Sequence, residues 1–254
     1  TVFGNPSSTH SHGREASKLL RQAREDIAQA LHTQSNKILF TSGGTESNNT
    51  AIKGYALRYQ NRGKHIVTTA IEHHAVLEVV EYLVDKFGFE ATFVQPVDGQ
   101  IRAKDIKKAL RPDTILVSVM AVNNETGAML PIKEIGELLQ EHPAAFHVDA
   151  VQAIGKLPIY PNELGIDFLS ASAHKFHGPK GVGFLYAEKM DFDNFMHGGD
   201  QEEKHRAGTE NLVSIAAMAA ALSESMEHLE ENLEHAQDLK NSLLADLSDI
   251  DYYL

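Results

Sequence analysis

The sequence predicts an α/β protein: a mostly parallel sheet of about seven strands flanked by helices. Three observations carry that expectation. Short β-branched runs alternate with amphipathic stretches of helical period along most of the chain, the pattern of a parallel sheet covered on both faces. The composition is that of a globular protein, with 42% hydrophobic and 23% charged residues among 254, enough for one large domain or for one domain and part of a second. Small and polar residues gather where the strands end, at Gly43-Gly44-Thr45, His73, Asn123-Asn124, Asp149 and His174-Lys175. Sheets of this kind bind ligands beyond the carboxyl ends of their strands.

Leu19, Leu20, Ala23, Ile27, Ala30 and Leu31 recur near helical spacing and predict a first helix over 17–31. Lys37 to Ser42 reads as a short buried strand ending at Gly43-Gly44, with a helix from about Glu46 to Tyr59. His65 to Ile71 is a strand and His74 to Phe87 a helix. Ala91 to Val94 and Thr114 to Val122 are further strands, and Ile132 to Gln140 is helical. Ala145 to Val148 and Asp167 to Ser172 are strands, and Gly181 to Ala187 is the last, reached through a Gly-Pro-Lys-Gly turn that returns the chain as a hairpin. Asn211 to Leu247 is mostly helical, and its acidic stretch from Glu224 to Glu234 reads as the solvated face of a long helix.

Charge and cysteine content remove whole classes of function. With 35 acidic against 23 basic side chains the net charge is −12, which argues against direct nucleic-acid binding. The absence of cysteine excludes disulfides and thiolate metal sites within the chain. The 14 histidines follow no metal-binding spacing, so no metal is expected. No apolar run approaches the ~20 residues of a membrane helix, and the segment from Thr1 to Pro6 does not read as a signal peptide. A cytoplasmic protein is expected.

Three segments can carry chemistry. Thr41-Ser-Gly-Gly-Thr-Glu-Ser-Asn-Asn49 comes after a strand and opens a helix; exposed N–H groups beside small residues make a phosphate cradle there, unless Ser42 or Thr45 is only a helix cap. It matches neither a P-loop nor a dinucleotide fingerprint. Asp149 ends an apolar strand and Gln152 lies three residues on. A carboxylate so placed can keep a pyridine nitrogen protonated and Gln152 can donate to a ring oxygen, or Asp149 can merely cap a helix that begins there. Lys175 ends another apolar strand among small residues, a setting that suits Schiff-base formation, although most lysines are surface groups.

With Asn5-Pro-Ser-Ser-Thr-His-Ser-His-Gly13, Glu72-His73-His74-Ala75, Val122-Asn-Asn-Glu-Thr-Gly127 and Gly198-Gly-Asp-Gln-Glu…Arg206-Ala-Gly-Thr-Glu-Asn211, these segments make seven ordered blocks. Together they resemble the cysteine desulfurases, class V and fold type I enzymes dependent on pyridoxal 5′-phosphate (PLP), and the housekeeping and nitrogen-fixation branch in particular. The resemblance implies the fold type I large domain. It implies that Lys175 holds PLP as a Schiff base and moves the substrate's α-proton, that His73 stacks on the ring, and that Asp149 pairs with the pyridine nitrogen. It implies Gln152 at the phenolate oxygen, Asn124 beside the substrate near that oxygen, and Gly44, Thr45, Ser172 and His174 at the phosphate. Thr209 would reach the phosphate bound in a partner subunit, so a homodimer is implied.

The implied reaction takes L-cysteine to L-alanine and passes sulfur through a persulfide to an acceptor protein, for iron–sulfur cluster, thio-cofactor or tRNA biosynthesis. The family departs from this sequence in having Gly-Ala-Thr-Glu at Gly43 to Glu46 and an apolar residue at Thr126. Its members also carry a small C-terminal domain with the catalytic cysteine and the arginine that binds the substrate carboxylate, neither of which is matched here. The expected division is therefore a PLP-binding domain over 1–210 and a helical segment over 211–254 leading towards an absent domain. Residues 1–254 alone are expected to be inactive as a desulfurase. A related class V lyase or aminotransferase, or a non-catalytic PLP-binding protein, remains the alternative. Leu243, Leu244, Leu247, Tyr252 and Tyr253 are expected to lack a partner, with fraying or an intermolecular contact there.

Overall fold

The computed structural model describes residues 2 and 4–248. Its strands are β1 (Ile38–Thr41), β2 (His65–Thr69), β3 (Glu90–Val94), β4 (Thr114–Met120), β5 (Ala145–Asp149), β6 (Phe168–Ser172) and β7 (Gly183–Ala187). They form one sheet in the order β1-β7-β6-β5-β4-β2-β3. Strands β3, β2, β4, β5 and β6 run parallel, and β7 lies antiparallel to both β6 and β1. This is the mostly parallel seven-stranded sheet the sequence predicts, with the β6–β7 hairpin at the Gly-Pro-Lys-Gly turn.

The helices are α1 (Ser11–Ala30), α2 (Gly44–Tyr59), α3 (His74–Phe87), α4 (Ala103–Ala109), α5 (Ile132–Leu139), α6 (Leu212–Glu227) and α7 (Leu229–Asp246). Buried side chains on the central strands alternate between two cores, as the strand period requires. Ile66, Leu116, Ala145 and Leu185 pack with α2 and α3 on one face. Val67, Val117, Phe146 and Phe184 pack with α1, α4, α5 and α6 on the other. Helix α1 buries Ala16, Leu20, Ala23 and Ile27, and starts at His10, whose Nδ1 accepts the Gly13 N–H at 3.2 Å. The predicted start near Ser17 falls short by about two turns, because the first turn is polar and carries no apolar stripe to read.

Helix α4 has no counterpart among the elements the sequence predicts. It is two turns long and buries only Ile106. Over 211–247 the structure has two helices in place of one long helix, broken at His228. Helix α6 buries Leu212, Ile215, Met218, Ala219 and Leu222 in the core shared with α1, whereas α7 buries only Leu229. Leu243 is exposed and Leu244 and Leu247 are half-buried; Tyr252 and Tyr253 lie outside the described residues.

Two buried histidines cross-link the sheet. His147 on β5 bonds Ser118 on β4 through Nδ1 at 2.8 Å and Ser170 on β6 through Nε2 at 3.0 Å. Burial drives its pKa down to about 3, so the ring is neutral. His65 on β2 bonds Thr114 on β4 at 2.7 Å and Thr92 on β3 at 2.9 Å.

Candidate active site

The carboxyl ends of β1, β4, β5 and β6 and the turn after β2 surround a cavity of about 460 Å³. Gly44, Thr45, His73, Asn124, Asp149, Gln152, Ser172, His174 and Lys175 all line it. These come from five separate stretches of chain, around 44, 73, 124, 150 and 174. The topology of the sheet brings those stretches together.

One wall is the β1–α2 turn. Gly43 has φ 146°, a conformation that favours glycine, and turns the chain directly into α2. The turn fits because β7 begins with Gly183: a Cβ there would lie 2.4 Å from the Ala171 carbonyl oxygen and 2.7 Å from the Gly43 Cα. A Cβ on Gly44 would lie 2.6 Å from Val151 Cγ2, so the family's alanine at this position would press on that valine. The first residues of α2, Gly44 to Glu46, thus line the cavity at a helix N-terminus, a position that favours anions. Ser172 and His174 complete this end, with Ser172 Oγ 3.0 Å from His174 Nδ1. Partial burial lowers the His174 pKa, and the charges of Lys175 and Lys180 add to that.

Asp149 is buried at the end of β5. Its Oδ2 accepts from Asn48 Nδ2 at 2.7 Å and its Oδ1 from the Val151 N–H at 3.1 Å. It therefore does accept the N–H two residues on, though the chain continues in turns and not in a helix. Burial pushes the carboxyl up from its ordinary value, while Asn48, the Val151 N–H and His73 pull it back. Gln152 is half-buried at the cavity edge and accepts from Lys156 Nζ at 3.4 Å.

His73 caps α3, its Nδ1 accepting the Ala75 N–H at 3.0 Å, which fixes the ring at the cavity mouth. Behind it Glu72 is buried. Its Oε1 accepts from Thr69 Oγ1 at 2.6 Å and from the Met120 N–H at 3.0 Å, and its Oε2 has no hydrogen-bond partner. Burial, with the nearby Asp149 charge adding, raises its pKa to about 8. Lys175 is half-buried at the end of a one-turn 3₁₀ segment after β6.

Thr209 stands apart. It is exposed and lines a separate crevice of about 210 Å³ with Ser42, Gly181 and Arg206. Sequence reading missed Glu46, Asn48, Glu72, Val151 and Lys180 as members of the site or its wall. Glu46 and Asn48 stand in the block already singled out, within the first turns of α2, and that spacing was a usable signal. Glu72 likewise stands in a block already singled out, beside His73, whereas Val151 and Lys180 join the wall only through the fold.

The donor set fits PLP. Asp149 is buried against the cavity with neutral hydrogen-bond partners only, and Asn48 Oδ1 beside it is buried without a partner. A cationic ring nitrogen would satisfy that carboxylate. The glycine-lined turn suits a phosphate, and Lys175 supplies an amine. Among the described residues no group of three or more His, Asp or Glu is placed to hold a metal ion.

The aminotransferase class-V family model matches residues 1–254. The chain is 48% identical over 248 residues to the cysteine desulfurase IscS of Dictyoglomus turgidum, covering 96% of this chain and 62% of that protein. It is 47% identical over 248 residues to the IscS of Methanosarcina thermophila, covering 96% and 61%. A NifS-like protein of known structure superposes with a TM-score of 0.92 at 41% identity, over 97% of this chain and 68% of that one. DndA from Streptomyces lividans superposes with 0.89 at 39% identity, over 99% and 72%. The chain thus spans less than two thirds of the length of these two curated relatives. Matched along its whole length, and with a sheet that superposes on solved members, the chain belongs to the class-V aminotransferase family.

Proposed function

We propose that this chain is the PLP-binding part of a cysteine desulfurase, a PLP-dependent sulfurtransferase that converts L-cysteine to L-alanine and passes the sulfur to an acceptor protein for iron–sulfur cluster, thio-cofactor or tRNA biosynthesis. The observation that carries the reading is the pairing, across one cavity, of a buried carboxylate without a cation, Asp149, with the amine of Lys175 and an open helix N-terminus. When bound, PLP supplies an electron sink conjugated to the substrate's α-carbon.

The chain's own residues divide the remaining work. Asp149 holds the ring nitrogen protonated. His73, fixed by its cap, covers the ring face. Gly44, Thr45, Ser172 and His174 receive the phosphate, and Gln152 and Asn124 orient the ring oxygen and the substrate. Lys175 Nζ anchors the cofactor and then carries the substrate's α-proton, the one proton transfer assigned to this chain. Breaking the carbon–sulfur bond of L-cysteine with transfer of sulfur to a thiolate leaves alanine and a persulfide, and the accepting thiolate lies outside these cysteine-free residues. Residues 1–254 alone are accordingly expected to bind PLP without turnover.

A homodimer belongs to the same proposal, supported by the exposed position of Thr209 outside its own cavity. A cytoplasmic location is proposed with it; no helix among the described residues is long and apolar enough to cross a membrane. A cofactor domain followed by a helical lead into a further domain is also proposed, and the packing of α6 on α1 favours a division after Glu227 over one after Glu210.

The test is PLP titration followed by absorbance. A visible band that disappears in Lys175→Ala, and that borohydride locks onto the protein, supports the reading. A folded chain that gives no such band overturns it. Sulfide release from L-cysteine by 1–254 under reducing conditions, above the Lys175→Ala control, would overturn the expectation of inactivity.

A further inference from the structure

Glu46 is an unexpected residue in the wall of an anion cradle. It stands in the first turn of α2, buried, and lines the cavity between Thr45 and Asn48. Its Oε2 takes the Ser42 N–H at 2.7 Å, a backbone donor of the same turn. A bare carboxylate there would oppose the entry of a phosphate dianion.

Arg206 answers that charge from outside the cavity. Its Nε donates to Glu46 Oε1 at 2.8 Å and its Nη2 to Oε2 at 3.2 Å, a two-pronged pair in which both side chains are largely buried. Burial pushes the Glu46 carboxyl up, but the bonds from Arg206 and Ser42 outweigh it and leave the pKa below its ordinary value, so Glu46 stays ionised. Arg206 itself lines the neighbouring crevice with Thr209. One ion pair therefore joins the cradle to the loop that carries Thr209.

We propose that Arg206 is a positioning residue for the cofactor phosphate, which neutralises Glu46 so that the β1–α2 turn accepts a dianion, and which ties the Thr209 loop to that turn. The inference rests on the PLP reading. It makes a distinction that a purely structural ion pair would not. Loss of Arg206 should weaken a ligand bearing a phosphate and spare the same ring without one.

The experiment compares PLP with pyridoxal, each titrated at low salt through the Lys175-dependent absorbance, in the parent, Arg206→Met, Arg206→Lys, and Arg206→Met combined with Glu46→Gln. Arg206→Met is expected to weaken PLP roughly tenfold and pyridoxal less than twofold, the scale of one screened charge acting on a dianion. Arg206→Lys, which keeps the charge, should retain most of the PLP affinity. The double variant should recover to within about threefold of the parent, because removing the carboxylate removes the need for its counter-ion. Equal losses for PLP and pyridoxal, or a double variant no better than Arg206→Met, would overturn the proposal. A parent chain with no Lys175-dependent signal for either ligand sinks the cofactor reading, and the inference with it.

Discussion

Glu72→Gln should make the protein more stable, by an amount that grows with pH. The folded chain holds Glu72 protonated because burial penalises its charge: the pKa is about 8 against an ordinary 4.5. An unfolded glutamate ionises above 4.5, so folding at higher pH must put a proton back. Glu72 therefore costs nothing below pH 4.5, and its cost rises between 4.5 and 8, where the folded group begins to ionise too. At pH 7 the gap of about 2.5 pH steps corresponds to about 3 kcal/mol. Glutamine is neutral at every pH and keeps an acceptor for Thr69 Oγ1 and the Met120 N–H. Thermal melts of parent and variant at pH 5 and pH 8 read the difference. For a chain of this size about 3 kcal/mol is roughly 6–12 °C. The gain should be small at pH 5, reach that range near pH 7 and be larger still at pH 8. A pH-independent shift would refute the argument, since the amide's unpartnered NH₂ and any change of packing act alike at both values.

Three further outcomes are expected. Gly183→Ala forces a methyl into the Ala171 carbonyl and the Gly43 turn; it should cost about 2 kcal/mol or more in denaturant melts and weaken PLP binding, and full stability would show that the two strands can move apart. Asp149→Asn replaces a buried carboxyl that has only neutral hydrogen-bond partners, so the chain without PLP should melt no lower than its parent at pH 7 while PLP affinity falls at least about tenfold; unchanged PLP affinity would exclude Asp149 as the ring-nitrogen partner. His147→Phe strands the Ser118 and Ser170 hydroxyls and should cost about 2–4 kcal/mol at pH 7. That deficit should narrow towards pH 4.5. The parent His147 is held near 3 against an ordinary 6.5, so its contribution is intact above 6.5 and is lost as pH falls. A deficit constant from pH 7 to 4.5 would contradict the assignment of His147 as neutral.

The fold was legible wherever a stretch of chain buries a regular stripe. Helix α3 spans His74–Phe87 as its pattern indicates, because Val76, Val79, Val80 and Leu83 face one core and Gly88 closes the end. Six of the seven strands are short buried runs and β3 is buried only at Val94; most strand ends lie within a residue or two of the pattern's limits. Helix α4, with Ile106 alone buried, has no such stripe, and the break at His228 falls inside a polar run where nothing marks it. The site was legible for a different reason. Asp149, Lys175 and the Gly43-Gly44 turn stand at strand ends around one cavity, and strand ends can be counted along a sequence. Asn48 against Asp149, Glu46 against Arg206, and the space that Gly183 leaves for Gly43 are matters of distance between segments on the order of 100 positions or more apart, and no local pattern encodes them.

The place of β7 in the sheet bears on the order in which this protein can be made. Strand β1 pairs with β7 alone, Ile38 opposite Tyr186 and Thr41 opposite Gly183. While the ribosome is still building the middle of the chain, β1 and the phosphate turn beyond it have no neighbouring strand to dock on. The parallel strands β2, β3, β4 and β5 can assemble earlier, since their partners have already emerged. The cavity is therefore completed late, when Ala187 has cleared the exit tunnel and β7 can seat the β1–α2 turn beside the end of β6, which its pairing with β5 can place earlier. On the proposed function, binding of PLP would thus report that the sheet is complete.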